Sequence, residues 1–227
     1  MPSVSIVMTT FNRPVQLERT LQSIWRQNYP GLEIVVVDDG NDATTPVTCK
    51  WVTQYIKLNR PKHPQGYVRT PALPNNIGVR AAHGDIIILQ NAECEHVDPQ
   101  CIEKLVSKVT DTNAVFARVT ALKADRKFKM IYCGTPEREV GWFFCGALKK
   151  STFERVGGFD EDFDNSGFDD NDFEVRMKEA GVEFVWTETA VNHQWHVSGG
   201  KINIEPMRKL FERKRHERSL RSEILPS

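Results

Sequence analysis

Runs of consecutive apolar residues, rich in valine and isoleucine, recur along the first 95 residues and predict buried strands. The runs cover residues 34–37 and 86–89, residues 4–8 form a similar run that only Ser5 interrupts, and a polar cluster follows each of the three. A strand with one face in water shows an alternating pattern, whereas these runs are apolar on both faces. Strands of this kind belong in a parallel sheet that helices cover on both sides.

Helical periodicity fills the segments between these strands. After Pro14, which suits the first turn of a helix, apolar residues recur at helical spacing over residues 17–25. A weaker helix is predicted through Trp51 and Val52, and a further helix over residues 75–83. The alternation of strands and helices predicts an α/β fold with a doubly wound, Rossmann-like and mostly parallel sheet.

The second half of the chain is less regular. Helices are predicted over residues 98–109, 151–156 with a serine cap, and 169–179, and strands over 114–122, 128–133 and 182–186. The polar, basic segment from residue 205 onward predicts a helical tail. Because no repeat or low-complexity linker divides the rest, we expect one domain over 1–204, with halves at 1–95 and 96–204, and a tail over 205–227.

Polar residues follow each of the three buried strands of the first half. They are residues 9–12, the pair Asp38 and Asp39, and residues 91–93. In open α/β sheets, ligands bind in the crevice outside the carboxyl ends of the strands. Since three strand ends converge on one crevice, we expect these polar residues to form the binding site.

Composition limits the class of protein. Apolar residues make up 40% and charged residues 26% of the 227 residues, which is the balance of a globular domain with a sizeable core. Thirty basic and thirty acidic residues cancel. A general nucleic-acid binder is usually basic, so we expect no nucleic-acid partner.

Cysteine usage and hydropathy indicate the compartment. The five cysteines form no Cys-x-x-Cys pair, which favours reduced thiols over a disulfide framework or a thiolate zinc site. No apolar run is long enough to span a bilayer, and the first residues lack the basic and apolar regions of a signal peptide. We therefore expect a cytoplasmic chain.

The chain lacks the glycine-rich sequences with which many proteins hold phosphate. Neither Gly-x-x-x-x-Gly-Lys-Ser/Thr nor a Gly-x-Gly-x-x-Gly after the first strand is present. If a nucleotide binds here, its phosphates must be neutralised in another way. A divalent cation held by carboxylate or imidazole ligands is the physical alternative.

A series of short motifs resembles the family 2 glycosyltransferases of the GT-A fold. In chain order they are Thr-Thr-Phe-Asn-Arg-Pro at 9–14, Val-Val-Asp-Asp-Gly at 36–40, Asn-Ile-Gly at 76–78, Gly-Asp-Ile-Ile at 84–87, Gly-Gly-Phe-Asp-Glu at 157–161 and Asp-Asp-x-Asp-Phe at 169–173. The resemblance implies transfer of a sugar from a nucleotide diphosphate sugar to a hydroxyl of a glycan or lipid-linked acceptor. It also implies that residues 1–95 bind the nucleotide and 96–204 the acceptor.

By motif position, the resemblance assigns seven residues to the nucleotide sugar. They are Thr10, Phe11, Asn12, Asp38, Asp39, Asn76 and Asn91. A carboxylate that accepts the N3–H of uracil favours a UDP-sugar, and Arg69 and Arg80 are candidate partners of its diphosphate. The alternative for Asp-Asp-Gly is a turn that ends a strand, since turns favour aspartate and glycine.

The family's Asp-x-Asp metal motif corresponds here to Asn91-Ala92-Glu93, so Glu93 keeps the carboxylate. Many members complete the metal shell with a late histidine, for which His193 and then His196 are the candidates. Because residues i and i+3 of a strand point to opposite sides, we expect one of them to be a ligand. The resemblance thus implies Mn²⁺ or Mg²⁺. The alternative places Glu93 on the surface at the start of a helix.

The acidic helix predicted over 169–179 supplies the catalytic candidates. The resemblance assigns Asp170 as the base that takes the acceptor proton in an inverting transfer, with Asp169 as its acceptor-binding partner. Asp172 is a further acceptor-binding candidate, and Trp142 and Phe143 are candidate platforms for an acceptor sugar. The alternatives are helix capping for the aspartates and core packing for the aromatic residues.

Two other functions stay open. A sugar nucleotidyltransferase should carry a glycine- and lysine-rich loop near the first strand, which this chain lacks. A nucleotide-sugar-binding domain with weak or lost catalysis is compatible with Asn91. The tail at 205–223 is basic, with seven Lys or Arg and three Glu over 207–223. It suits peripheral contact with the inner face of an anionic membrane, or packing on the domain or on a second copy in a homodimer.

Overall fold

The computed structural model describes residues 3–27, 29–40, 51–135, 138–197 and 200–224, with side chains up to residue 220. Its strands are β1 Val4–Thr10, β2 Leu32–Asp38, β3 Gln54–Lys57, β4 Ile86–Asn91, β5 Cys94–His96, β6 Asn113–Leu122, β7 Phe128–Cys133, β8 Cys145–Lys149 and β9 Glu183–His193. Its helices are α1 Pro14–Trp25, α2 Ala72–Ala81, α3 Cys101–Val106, α4 Lys150–Val156, α5 Asp169–Glu179 and α6 Glu205–Ile224.

These strands form a single sheet. Within the described ranges its order is β3-β2-β1-β4-β8-β6-β9-β5, and β7 pairs with β6. The strands of the first half are parallel, with β1 between β2 and β4, and β3 at the edge beyond β2. Beyond β4 comes β8, which is antiparallel to both of its neighbours, β4 and β6. Strand β9 follows β6 and is parallel to it. The apolar runs therefore form the parallel part of the sheet, as predicted, and both halves of the chain share it.

Neighbouring residues of β1 are buried in two separate cores, one on each face of the sheet. Ile6 and Met8 pack in the core that α1 covers, whereas Val7 packs with Val79 of α2 on the opposite face. A Cβ at Gly78 would lie 2.4 Å from Cγ1 of Val7, so the glycine lets α2 approach the sheet closely. Each fully buried aliphatic side chain contributes roughly 1.5–3 kcal/mol relative to exposure. This double burial explains the continuous apolar pattern.

The register of the strands brings their carboxyl ends together. Thr10 at the end of β1 pairs with Asp38 at the end of β2, and β4 ends beside β1 at Asn91. The short β5 follows at once and pairs with the end of β9, where Cys94 lies opposite His193. The polar residues that follow β1, β2 and β4 therefore meet at one edge, and the end of β9 joins them.

Two local predictions are wrong. Trp51 and Val52 are not helical and lead into the edge strand β3; the ring of Trp51 packs on that of Trp25, with centroids 5.9 Å apart. The rest of that predicted helix, residues 41–50, lies outside the described residues. Helix α4 begins at Lys150, and its N-terminus has no capping hydrogen bond from a described side chain, so Ser151 is not its cap.

Two further elements differ from prediction in length. Helix α3 is shorter than the predicted residues 98–109. Strand β9 continues far beyond residue 186, to His193, because it pairs with β6 on both sides of a register shift between Phe116 and Arg118. The extended strand is what brings the late histidines to the strand ends.

The C-terminal helix α6 packs on the domain. The ring of Phe211 lies against that of Phe168, with centroids 5.5 Å apart. Lys214 Nζ lies 2.5 Å from Asp160 and 2.6 Å from Asp162. Of the alternatives for the basic tail, packing on its own domain is the one observed, with Lys214 beside Asp160 and Asp162. No helix among the described residues has the length and apolar character needed to cross a bilayer.

Candidate functional site

The carboxyl ends of β1, β2 and β4 border a cavity of about 180 Å³. The residues from the sequence prediction that line it are Thr10, Phe11, Asp39, Arg69, Asn91 and Glu93. An adjoining cavity of about 210 Å³ shares Phe11 and Asp39 and adds Asn12. We refer to the two cavities together as the strand-end cleft.

Arginine side chains line the same cleft. Arg13 borders the first cavity, Arg60 the second and Arg69 both. Arg60 and Arg69 also both contact Asp164, with 3.2 Å between Arg60 NH1 and Asp164 Oδ1. The cleft therefore carries fixed positive charge beside its carboxylates, an arrangement that suits a ligand with phosphate groups.

Glu93 lies among an arginine and two histidines. Its Oε1 is 2.8 Å from NH1 of Arg13, 3.3 Å from Nε2 of His196 and 3.7 Å from Nε2 of His193. The antiparallel pairing of β5 with β9 fixes this placement, together with a 2.9 Å bond from the Gln194 N–H to the Glu93 carbonyl oxygen. Glu93 is 4% exposed, so it is not the surface residue of the alternative interpretation.

Both histidines reach Glu93 because β9 ends at His193 and the alternation of a strand does not extend to His196. Burial raises the pKa of Glu93, but the hydrogen bond with His196 and the charge of Arg13 lower it to about 2. Burial lowers the pKa of His193 to about 4, against the attraction of Glu93. At neutral pH the cluster thus holds a carboxylate and, at His193, a neutral imidazole, which are the metal-binding forms.

The donor set of Glu93, His193 and His196 fits a divalent transition-metal ion. One ligand atom of each lies within 4.8 Å of the others. Imidazole nitrogens beside a carboxylate suit Mn²⁺ better than Mg²⁺, which prefers oxygen ligands in a tight octahedron. Asn91 lines the cavity that Glu93 borders, and its amide oxygen is a further donor there.

The two aspartates at the end of β2 have different surroundings. Asp38 is fully buried, and its Oδ2 accepts from Tyr55 Oη at 2.5 Å and Lys57 Nζ at 2.9 Å. Asp39 binds Arg60 through both carboxylate oxygens, at 2.7 Å for Nε to Oδ1, and lines both cavities. Asp39 can therefore contact a ligand in the cleft, whereas Asp38 ties the end of β2 to β3.

The loop after β1 presents a hydroxyl and a constrained backbone. Among the described residues none hydrogen-bonds Oγ1 of Thr10, which is buried and lines the cleft. Asn12 has a φ of 54°, in the left-handed region that asparagine enters more readily than most residues. A Cβ at Gly40 would lie 2.4 Å from Oδ1 of Asn12, so this glycine allows the loops after β1 and β2 to meet.

Asn76 and Arg80 lie elsewhere, at a cavity of about 580 Å³ formed by α2, α4 and the segment that follows α4. The Asn76 Nδ2 donates to the Phe159 carbonyl at 2.8 Å, and its Oδ1 accepts from the Phe159 N–H at 2.9 Å. The same amide donates to Glu161 at 2.8 Å. Asn76 thus fixes the Gly-Gly-Phe-Asp-Glu segment to α2, and the structure does not bring it to the strand-end cleft.

Helix α5 begins with two aspartates that influence each other. Asp169 is buried, and its Oδ2 has no hydrogen-bond partner in the described part of the chain; burial and the charge of Asp170 raise its pKa well above the usual value. Burial also raises the pKa of the half-buried Asp170, to about 6, although the backbone N–H of Phe143 donates to it. Both aspartates are therefore harder to ionise than ordinary aspartates.

Residues 142–144 link this pair to the Glu93 cluster. The N–H of Phe143 contacts Asp170. The next carbonyl, that of Phe144, accepts from the Asn91 N–H at 3.1 Å. The Phe144 ring lies edge-on to His193, with centroids 5.5 Å apart. The aspartate pair and the histidine cluster thus both adjoin one three-residue segment.

The aromatic residues near this segment divide into core and surface. Phe143 is 4% exposed and packs on Phe116, with centroids 5.0 Å apart, so it offers almost no surface to an acceptor and follows the core-packing alternative. Trp142 is half-buried. Tyr132 stacks on Phe144 at 5.3 Å and meets the His193 ring at 5.2 Å. Of the two predicted platform residues, Trp142 is therefore the one that is still partly exposed.

Asp172 is occupied within the protein. It is completely buried, and its two oxygens accept from Arg176 Nε at 2.7 Å and Arg218 NH1 at 2.9 Å. A carboxylate held in this way is not free to bind an acceptor. Asp172 therefore joins α5 to α6, and its carboxylate is not available for the acceptor-binding role expected of it.

Several site residues were not predicted. Arg13 belongs to the first motif, and its charge next to Asn12 was an available signal. No such signal in the sequence marks Arg60, Tyr132 or Phe144. Each of them contacts its partner only in the folded chain and lies in a segment whose pattern indicates a loop or the core.

The sequence model of glycosyl transferase family 2 matches residues 5–174. The O-antigen biosynthesis protein RfbC of Myxococcus xanthus is 26% identical over an alignment of 219 positions, which covers 82% of this chain and 17% of that protein. The GalNAc(5)-diNAcBac-PP-undecaprenol beta-1,3-glucosyltransferase of Campylobacter jejuni is 35% identical over an alignment of 91 positions, which covers 38% of this chain and 28% of that protein. The chain thus spans less than a third of the length of these two relatives.

Solved structures share the fold. The mannosyltransferase PcManGT from Pyrobaculum calidifontis, in complex with GDP-Man and Mn²⁺, has a TM-score of 0.63 at 20% identity, over 84% of this chain and 56% of that one. S. aureus TarS 1-349 in complex with UDP-GlcNAc has a TM-score of 0.66 at 12% identity, over 86% and 59%. At such identities the likeness establishes a common GT-A fold.

Proposed function

Because the chain belongs to glycosyl transferase family 2, we propose that it transfers a sugar from a UDP-sugar to an acceptor hydroxyl, with inversion at the transferred carbon, in the synthesis of a glycan or polysaccharide. One observation carries the proposal: Glu93 belongs both to a three-residue metal-ligand cluster and to the cleft lined by Thr10 and Asp39. A sugar nucleotide needs this combination, since its base, ribose and diphosphate require different partners in one crevice.

The strand-end cleft offers groups for each part of a uridine diphosphate. Asp39 is placed to accept the N3–H of uracil or a ribose hydroxyl, and Thr10 supplies a hydroxyl that lacks a described partner. Phe11 lines both cavities and offers an aromatic ring to the base. Arg69 supplies charge for the diphosphate. A carboxylate also pairs with guanine, so the test compares UDP- and GDP-sugars.

The proposed cofactor is Mn²⁺. Glu93, His193 and His196 would hold it, with Asn91 lining the adjoining cavity wall. When bound, the ion supplies positive charge that stabilises the diphosphate leaving group. PcManGT, of the same fold, was solved with Mn²⁺.

Asp170 is the proposed base. The proton of the acceptor hydroxyl passes to its carboxylate while the acceptor oxygen bonds to the anomeric carbon, and the bond from that carbon to the diphosphate oxygen breaks on the opposite face. With a pKa of about 6, Asp170 is ionised at pH 7 and more basic than an ordinary aspartate. Asp169, whose pKa burial raises, is the proposed acceptor-binding partner, and Trp142 can pack on the sugar of the acceptor.

A lipid-linked acceptor would place the enzyme at a membrane surface. The Campylobacter relative is named for an undecaprenol-linked acceptor. Lys209, Arg213 and Arg215 are exposed on α6, and each can contribute about 1 kcal/mol of attraction to an anionic surface. Flotation with anionic and neutral liposomes tests this point, and we expect binding to the anionic ones alone.

The main test incubates the full chain with Mn²⁺, a panel of glycan and lipid-linked acceptors, and UDP-glucose, UDP-GlcNAc or GDP-mannose. We expect acceptor-dependent UDP release, and a product whose anomeric configuration, read by NMR, is opposite to that of the donor. Asp170→Asn should lower kcat about 10²–10⁴-fold without weakening UDP binding. Asp125→Asn, in an exposed hairpin, is the matched control.

Each part of the proposal has its own contrary result. Release from GDP-mannose alone would overturn the donor assignment, and a retained configuration would overturn the inverting mechanism. Binding of UDP without turnover of any donor would instead indicate a nucleotide-sugar-binding domain that has lost catalysis.

A further inference from the structure

A second cluster of metal-ligating side chains lies in the core, apart from the Glu93 cluster. It consists of His96 on β5, Cys101 on α3 and Cys145 on β8, which are 5%, 0% and 1% exposed. One donor atom of each lies within 4.8 Å of the others. We infer that these three side chains bind a structural Zn²⁺ ion.

The spacing of the donors is close to what zinc requires. Tetrahedral Zn²⁺ has bonds of about 2.3 Å to sulfur and about 2.1 Å to nitrogen, so its ligand atoms lie roughly 3.5–3.8 Å apart. Donor atoms within 4.8 Å of one another reach these positions through side-chain shifts of about 1 Å. The backbone of the three elements can stay where it is.

The imidazole of His96 has one bonded nitrogen and one without a described partner. Its bonding partner Gln90 also contacts Cys145, with 3.7 Å between Cys145 Sγ and Gln90 Oε1. Gln90 Nε2 donates to the Cys94 carbonyl at 2.7 Å, which leaves Gln90 Oε1 as the acceptor for His96 Nε2 at 2.8 Å. The proton therefore sits on Nε2, and Nδ1 carries the lone pair. In the described part of the chain this buried Nδ1 has no hydrogen-bond partner. An outer hydrogen bond of this kind fixes the tautomer of metal-bound histidines.

A hydroxyl also lies beside the cluster. That of Thr189 is 0% exposed and lies close to Cys101 and Asp98, although it makes no well-aligned hydrogen bond with a described residue. It can complete the tetrahedron directly or through a water. An unsatisfied imidazole nitrogen such as Nδ1 of His96 is costly in an apolar core, and a bound ion would satisfy it.

Charge balance also favours zinc. Two thiolates and one neutral imidazole exactly neutralise a dication, so the complete centre carries no net charge into the core. The cysteine pattern argued against a thiolate zinc site because it has no Cys-x-x-Cys pair. That rule concerns ligands that are neighbours in sequence, whereas these come from three elements that only the fold unites. Because all three are buried, the ion would enter as the chain folds.

The experiment refolds the full chain with Co²⁺ in place of Zn²⁺. We expect a sulfur-to-cobalt charge-transfer band in the near ultraviolet, and roughly one Zn²⁺ per chain that survives EDTA dialysis of the zinc-refolded protein. Only a thiolate site gives that band, so Glu93→Gln should leave it intact even though it removes a ligand of the other cluster. The outcome is thus independent of the proposed glycosyl transfer.

Variants locate the ligands. Cys101→Ser and Cys145→Ser should lose the band and the retained zinc, whereas Cys133→Ser, a buried cysteine of the same core, should keep both. The spectrum of the wild-type protein tests the inference by itself, even if the serine variants fail to fold. Folded wild-type protein with neither band nor retained zinc would overturn the inference. So would a disulfide between Cys101 and Cys145 in protein prepared without reductant, which a mass two hydrogens lighter and peptide mapping of the linked cysteines would reveal.

Discussion

Arg218 on the C-terminal helix lies 2.9 Å from the carboxylate of Asp172 on α5, through NH1 and Oδ1. The other oxygen of Asp172 accepts from Arg176 at 2.7 Å. Because Asp172 is completely buried, both guanidinium groups are needed as donors to its carboxylate oxygens. The C-terminal helix α6 therefore supplies a positive charge to α5, the helix that begins with Asp169 and Asp170.

Replacing Arg218 with alanine should lower the free energy of unfolding by about 1–3 kcal/mol. The change leaves Oδ1 of Asp172 without its charged donor, and a buried acceptor that loses such a partner is destabilising by this amount. Urea unfolding followed by circular dichroism measures it. Arg213→Ala removes an exposed arginine of the same helix, 3.9 Å from Glu217, and should have an effect within about 0.5 kcal/mol. Equal effects of the two variants would contradict the prediction.

The sheet could be predicted where burial leaves a pattern in the sequence. β1, β2 and β4 lie between two cores, so each reads as a continuous apolar run. The edge strand β3 leaves no such pattern, because it spans four half-buried residues, Gln54–Lys57, and forms by pairing with β2. For the same reason, the sequence around Trp51 predicts a helix where the structure has none.

The site could be predicted as far as the family motifs define it. The resemblance assigns Glu93 and the late histidines by their motif positions, and the structure brings Glu93, His193 and His196 together. The different surroundings of Asp38 and Asp39 could not be predicted, because they arise from β3 and the loop after it. In each case the deciding neighbour is remote in sequence.

Asp38→Asn and Asp39→Asn should separate folding from binding. Asp38→Asn removes the charged acceptor of Tyr55 and Lys57, and should lower the free energy of unfolding by about 2–3 kcal/mol. Asp39→Asn keeps an acceptor for Arg60 but loses the charge that faces the cleft, and should weaken UDP binding roughly tenfold. Urea unfolding and calorimetric titration with UDP measure the two effects. Weaker UDP binding by folded Asp38→Asn alone would reverse the assignment.

Glu93→Gln, His193→Gln and His196→Gln should each weaken Mn²⁺ binding at least about tenfold, since each removes one donor of the set. Titration of Mn²⁺ followed by electron paramagnetic resonance measures the free ion directly. Glu95→Gln is the control, because Glu95 pairs with Arg126 at 2.6 Å and lies outside the cluster. Normal Mn²⁺ binding by His196→Gln would limit the ligands to Glu93 and His193.

The pH dependence of transfer should show an acid limb near pH 6. Asp170 must be deprotonated to take the acceptor proton, and burial raises its pKa to about 6, so kcat/KM should rise as pH increases through this value and then level off. An ordinary aspartate, with a pKa of about 3.9, would give no limb in this range. Initial rates between pH 5 and pH 8 at saturating Mn²⁺ measure the profile. The residual activity of Asp170→Asn should lack this limb. A limb near pH 6 that persists in the variant would assign the ionisation to another group and remove Asp170 as the base.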